Sequence, residues 1–255
     1  MRRYRISPSL LNSFSDWLNY ETVWEKFWGN AETPAMTQEE FGQKQLAELL
    51  AYINREPQEP NEAAERGTCL NEIIDRRIGA DPNGSVRVTV DVDIYRAERN
   101  GFTFQFNAAD VDSLTETFRG TMPQYHLSQR YTIGNREVTL HGYSDYLFPD
   151  RIGDLKTTGR YESEKYRDNW QRKVYPLVAE DSGAMQVCRE FTFYALQCKT
   201  DKSGIIGMEA YEESYDFHHD ESKDEVLTFL DAFLLPQLDA WLEEGLIPHQ
   251  TLMIG

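Results

Sequence analysis

Apolar residues recur at helical spacing near the start of the chain. Leu10, Leu11, Phe14, Trp17 and Leu18 follow Ser7-Pro8, which supplies a serine N-cap and a proline in the first turn. The same reading predicts a helix over 37–54, with Thr37 as cap and Glu40 at the capping-box position. Pro57 and Pro60 end it, and Asn61 caps a third helix running to about residue 78. The period then shortens to two. Val86, Val88, Val90 and Val92 alternate with polar residues, and Asn100-Gly101 turns the chain into Phe102, Phe104 and Phe106, a β-hairpin signature. A short helix is expected over 110–119. Alternation resumes at Leu127, turns at Gly134-Asn135 and continues as a strand over 138–148. Pro149-Asp150 turns the chain into a short strand over 152–157. A helix over 163–180, strands over 190–198 and 205–215, and an amphipathic helix carrying Val226, Leu230, Leu234, Leu238 and Trp241 complete the series. Helices bracket a central run of strands without a linker. The prediction is one mixed α/β domain over residues 1–255, with an added β-hairpin insertion.

Composition narrows the function classes. Low-complexity tracts and internal repeats are absent, which excludes solenoids and disorder. The basic opening Met1-Arg2-Arg3-Tyr4-Arg5 is not followed by an apolar run, so neither a secretory signal nor a membrane span is expected, and a cytoplasmic location is the expectation. Cys69, Cys188 and Cys198 are odd in number and scattered, with no CxxC pair. They predict reduced, buried thiols and neither a disulfide framework nor a zinc or iron–sulfur site. A net charge of −17 opposes passive nucleic-acid binding, so a nucleic-acid enzyme with this sequence must concentrate positive charge locally.

One stretch carries chemistry. If Pro149-Asp150 is the turn, hairpin symmetry places Phe148 opposite Arg151 and Asp145 opposite Asp154, with Cβ atoms ~4.5–5.5 Å apart. Two facing carboxylates repel by roughly 3 kcal/mol at ~5 Å and an effective dielectric near 20. Either one keeps its proton or a cation sits between them. Lys156, two residues beyond Asp154, shares its strand face. Two carboxylates for a hard divalent ion plus one ammonium suit phosphodiester hydrolysis. An isolated Asp-x-Lys is more often a solvated ion pair, so neighbouring features matter. Gln171 and Tyr175 lie four apart on the following helix and share a face, and 67–72 places Asn71 and Glu72 on the preceding one. His141, four before Asp145, falls on the same face by strand alternation. His218-His219-Asp220 has the look of an adventitious metal scavenger in an acidic loop.

Taken in chain order, these segments resemble the RecB-like branch of the PD-(D/E)XK nuclease superfamily, which includes lambda-type exonucleases and the exonucleases of CRISPR adaptation. The matching elements are a Ser-x-Ser-x-Leu helix (Ser7, Ser9, Leu11) and a Gly-x-x-x-His-Glu helix (Gly67, Asn71, Glu72). A Gly-x-x-Asp strand (Gly142, Asp145), an Asp-x-Lys-Thr strand (Asp154, Lys156, Thr157) and a Gln-x-x-x-Tyr helix (Gln171, Tyr175) follow. The resemblance spans residues 1–180 and departs where the family histidine is Asn71.

The resemblance implies a restriction-endonuclease-like mixed sheet, with N-terminal helices over 7–56, a catalytic core over about 62–215 and a C-terminal helix over about 222–244. It implies a DNA nuclease, exonuclease more than endonuclease, acting in DNA processing or recombination. Mg²⁺ or Mn²⁺ would sit on Asp145 and Asp154, completed by Asn71 or Glu72. Alignment favours Asn71, while the preference of a hard cation for carboxylate favours Glu72. Lys156 would position the attacking water, and Gln171 and Tyr175 would orient Lys156 or the phosphate. Arg160, Lys165, Arg172 and Lys173, in the loop and helix after Lys156, would contact DNA phosphates. No Walker-type phosphate loop occurs, so a helicase or recombination partner would be a separate chain. Asn71 and the acidity also fit an alternative: a catalytically silent member that binds nucleic acid or acts as a scaffold.

Overall fold

The computed structural model describes residues 1–29, 31–80 and 84–248. Its strands are β1 (Arg2–Ile6), β2 (Arg87–Val90), β3 (Ile94–Arg99), β4 (Phe102–Asn107), β5 (Met122–Ile133), β6 (Arg136–Leu147), β7 (Arg151–Thr158), β8 (Glu190–Thr200) and β9 (Ile205–Asp216). They form one mixed sheet in the order β1-β6-β7-β8-β9-β4-β3-β2, with β5 also paired to β6. The helices are α1 (Pro8–Leu18), α2 (Tyr20–Trp28), α3 (Gln38–Ile53), α4 (Glu62–Arg77), α5 (Ala108–Phe118), α6 (Gln171–Asp181), α7 (His219–Phe229) and α8 (Leu235–Glu243). They cover both faces. Phe191 and Phe193 of β8 enter a core with Phe14, Val174, Leu177 and Trp241, whereas Tyr194 and Leu196 enter a second core with Ile73, Ile74, Val111 and Phe118. That is the alternation of a sheet buried on both sides. The molecule is therefore mixed α/β, with a large sheet flanked by helices. Among the described residues no helix is long and apolar enough to cross a membrane.

Local chemistry explains most element boundaries. Ser7 Oγ accepts from Leu10 N at 3.2 Å, and Thr37 forms a complete capping box with Glu40. Asn61 Oδ1 accepts from Ala63 N and Ala64 N to start α4. Asn100 (φ 47°) and Gly101 (φ 85°) both take the left-handed conformation that a two-residue hairpin turn requires.

Four expectations change. The basic opening is a strand: Tyr4 and Ile6 are buried, and β1 runs parallel to β6 with Arg5 beside Thr139. Residues 20–28 form α2, an amphipathic helix with no fully buried residue, whose Trp28 ring packs edge-on against Phe41. The helix expected over 163–180 begins only at Gln171. The N–H groups of Lys165 and Tyr166 go to the buried Glu213 carboxylate (3.2 and 3.3 Å), and Glu164 has φ 61°. The C-terminal helix is interrupted over Leu230–Leu234 by a π turn directly before Pro236, which has no N–H to continue the ladder. All three cysteines are free and buried, as their scatter predicts.

Candidate active site

β6 pairs along one edge with β5 at every residue but Asp145, and its other edge is shared. Residues 136–140 pair with β1, and Tyr146 and Leu147 pair with β7, so residues 141–145 meet no strand on that side. The hairpin register is the symmetric one: Leu147 faces Ile152, Tyr146 faces Gly153, and Phe148 N donates to Arg151 O at 3.0 Å. One step further, Asp145 would face Asp154, and there the ladder opens. The Asp145 carboxylate takes over the lost bond, with Oδ2 accepting from Leu155 N at 2.9 Å. β7 continues away from β6 along β8 over its whole length.

The two carboxylates and the lysine meet at this fork. Lys156 Nζ lies 2.6 Å from Asp154 Oδ2, and Gln171 Nε2 donates to Asp154 Oδ1 at 2.9 Å. Asp154 is 2% exposed, so these partners, and not water, decide its environment. Despite the short ion pair, Asp154 Oδ2 completes no hydrogen bond of good geometry. On the far side, Gln124 Nε2 donates to Asp145 Oδ1 at 3.4 Å from a left-handed position in β5 (φ 48°).

The family-like residues around the fork have structural reasons. Tyr175 packs over Gly142 so closely that a Cβ there would lie 2.7 Å from its ring; only glycine fits. Gln171 is aimed by the N-terminal helix: Asn12 Oδ1 accepts from Trp170 N at 2.8 Å, and Asn12 Nδ2 donates to Asn169 Oδ1 at 3.0 Å. Asn169 Oδ1 in turn accepts from Gln171 N at 2.9 Å. Sequence reasoning missed Asn12 and Asn169, although a side chain that caps α6 from α1 is what the Asn12 position supplies.

The α4 helix divides its polar residues between two jobs. Glu72 is ion-paired with Arg76, and its carboxylate fills the space where a Gly84 side chain would stand. Asn71 and Asp75, four apart, share a different face. Gly67, on that same line, brings the helix within 3.2 Å (from a would-be Cβ) of Thr157 Oγ1 on the lysine strand. Asp75 is 3% exposed and approaches Tyr146 and Gln124. Asn71 Oδ1, Asp75 Oδ1 and the Tyr146 hydroxyl are all buried without a hydrogen-bond partner. Asp75 was not among the sequence-predicted residues; its i,i+4 spacing from Asn71 was the available signal.

Burial, then the Asp154 charge, push the Asp145 carboxyl up to about 7, against the pull of Lys156 and the Leu155 N–H. Burial does the same for Asp75, also to about 7. Lys156 moves up: burial alone would lower it, but Asp154 and Asp145 outweigh that cost. The sign of the linkage follows. Below about pH 3, under the ordinary value of 3.8, Asp145 is protonated in both states; as pH rises from there toward 7 the unfolded chain ionises first, so folding loses stability across that window. Asp145→Asn should therefore stabilise the metal-free protein at pH 8 by on the order of 1 kcal/mol and do little at about pH 3. Urea unfolding at both pH values checks this; an equal effect at the two would refute the shift.

The residues fit a divalent cation in a restricted sense. Among the described residues no three His, Cys, Asp or Glu side chains converge to enclose an ion. Magnesium-type sites, however, are commonly held by one or two carboxylates with waters and substrate phosphate. Asp145 and Asp154 Oδ2, which meets only the Lys156 ammonium, supply that minimum.

The other candidates have partners of their own. Arg160 is exposed beside Glu162, Lys165 Nζ donates to Thr158 Oγ1 at 2.7 Å, and the Arg172 guanidinium lies 4.9 Å from the Tyr215 ring centre. Lys173 is ion-paired with Glu225 of α7. Lys165 Nζ also donates to Arg160 O at 3.2 Å, so these two lie side by side. His141 is not carried to Asp145 by alternation: Val138 and Leu140 pack in one core and Tyr146 in the other, so β6 changes face between them. His219 bonds Asp181 at 2.8 Å and Asp220 at 3.0 Å, tying α7 to α6.

No protein-family model and no curated protein matches the chain. A solved structure described as the crystal structure of SSO0001 is similar over 49% of this chain at 10% identity and a TM-score of 0.33; the match spans about half, 55%, of that chain's own length. A likeness at that level carries no argument.

Proposed function

We propose that the chain is a metal-dependent DNA nuclease of the PD-(D/E)XK type, with a restriction-endonuclease-like core and exonuclease action. The observation that carries this reading is the fork itself. Two carboxylates from adjoining strands and one lysine are held where the β6–β7 ladder opens, with Gln171 bonded to the more buried carboxylate. Such a placement is unfavourable for folding and gains nothing from surface solvation, which is the pattern of a site kept for function.

Asp145 and Asp154 would hold Mg²⁺ or Mn²⁺, which when bound polarises a phosphoryl oxygen and acidifies water. Lys156, beside Asp154, would orient the attacking water and offset negative charge on the phosphate. Gln171 fixes Asp154 by donating to Oδ1, leaving Oδ2 for the ion. Tyr175, seated on Gly142 beside Gln171, restricts the helix face that orients this carboxylate. From α4, Asp75 with Asn71 is better placed than Glu72 to complete the shell through water, because Glu72 is committed to Arg76.

Calorimetry with Mn²⁺ tests the assignment. Asp75→Asn should weaken binding roughly tenfold or more, the scale of an outer-shell loss, while Glu72→Gln changes it little. The reverse ranking would return the role to Glu72. Absence of Mn²⁺ binding by the unaltered protein would sink the metal reading altogether.

A further inference from the structure

The open edge of β6 has a second end. At His141, across from the last turn of β1, lies a cavity of about 240 Å³ lined by Arg5, Ser7, Tyr52, Arg55 and His141 over Leu10. Its lining contains no carboxylate, in a protein whose formal charge is −17. The neighbouring Arg2 and Arg3 are ion-paired to Asp239 and Glu137, whereas among the described residues neither Arg5 nor Arg55 has an acidic partner within salt-bridge reach. Arg5 Nε is buried with no hydrogen-bond partner at all. Ser7 Oγ and Tyr52 OH are hydrogen-bonded at 3.2 Å, which leaves one hydroxyl proton of the pair as a donor on the same wall.

Two further observations mark the spot as electropositive by construction. After its own burial, Arg5, His126 and Arg55 hold the His141 ring down to about 4, so the cationic field is not neutralised locally. Arg55 sits just after α3 with φ 56°, where Arg55 N donates to Tyr52 O at 3.1 Å to close the helix. Glycine or asparagine is the usual residue in that left-handed position. Arginine there is conformationally unfavourable, and closing the helix does not need its side chain. Two guanidiniums without acidic partners, one of them with a buried unbonded Nε, match the tetrahedral oxygens of a phosphate better than any apolar or cationic ligand. The volume lies below the usual range for whole organic ligands, which suits a single phosphate group.

We propose that this cavity is an oxyanion site that takes one phosphate group, either as the free ion or as the phosphate of a nucleic-acid strand. The site does not depend on the metal centre, so it can be tested with chelator present. Calorimetry would compare inorganic phosphate, a short oligonucleotide with a 5′-phosphate, and the same oligonucleotide with a 5′-hydroxyl. Arg5→Gln and Arg55→Gly should each weaken phosphate binding about tenfold, whereas Arg119→Gln, outside the cavity and ion-paired with Glu116, should not. Arg55→Gly is the sharper variant: it suits the left-handed backbone, so its melting temperature should hold or rise while binding falls. Preference for the phosphate-ended strand would identify a strand as the occupant; equal strand binding with retained phosphate binding would identify the free ion. Wild-type protein that fails to bind phosphate at millimolar concentration, or cavity variants that bind as wild type does, would overturn the proposal.

Discussion

Lys156→Ala and Asp154→Asn are each expected to lower Mg²⁺- or Mn²⁺-dependent DNA cleavage by at least about 10²–10³-fold, the scale of removing one preorganised charge from a phosphoryl or acyl transition state. Both side chains lie at the fork and neither fills the core, so the fold should survive. The two variants should differ in a second readout. Without metal, Lys156→Ala leaves Asp145 and Asp154 facing each other with no cation, and the protein should melt lower than wild type. Added Mn²⁺ takes the place of the ammonium, so its stabilising effect should be larger in this variant than in wild type. Asp154→Asn should show the opposite, with little response to metal. Wild-type turnover in Lys156→Ala would remove the lysine from the mechanism.

Phe118→Ala should destabilise the protein by about 3–5 kcal/mol, the usual cost of emptying a fully buried phenylalanine site. Phe118 is 0% exposed, stacks on Tyr146 with ring centres 3.8 Å apart, and meets Tyr194 edge-on at 4.8 Å. Its loss leaves a void directly beneath Tyr146, the residue that follows Asp145. Cleavage should therefore fall more than the folded fraction does, because the strand that carries Asp145 loses its support. Phe118→Leu, which keeps most of the volume, should restore most of both. Thermal melting beside an activity assay separates the two effects; a loss of stability with unchanged specific activity would mean that the aromatic stack does not position the site.

Much of this was legible in the sequence because it is written in local chemistry. Caps at Ser7, Thr37 and Asn61, the Asn100-Gly101 turn, and the Pro149-Asp150 hairpin with its register follow from neighbouring residues. The nearness of Asp145 and Asp154 follows from that register, although the ladder opens before the two pair as expected. What was not legible depends on distant partners. β1 is a strand because β6 has a free edge to receive it, and nothing in five residues announces that edge. Residues 163–168 read as helical, but Glu213 on another strand captures their N–H groups. The choice between Asn71, Glu72 and Asp75 turns on the rotation of α4. That rotation is set by Gly67 against Thr157 and by Glu72 lying under Gly84. The face change in β6 at Asp145 likewise depends on the left-handed Gln124 across from it, which no alternation pattern contains.

The most direct test is an assay of the purified chain on end-labelled linear DNA, with Mn²⁺ or with chelator, followed on a denaturing gel. The account predicts metal-dependent shortening of the labelled strand, absent with chelator and absent in Lys156→Ala. Intact DNA under every metal condition, from a protein that calorimetry shows to bind no Mn²⁺, would contradict it and leave the fork as a structural ion pair in a binding or scaffolding protein.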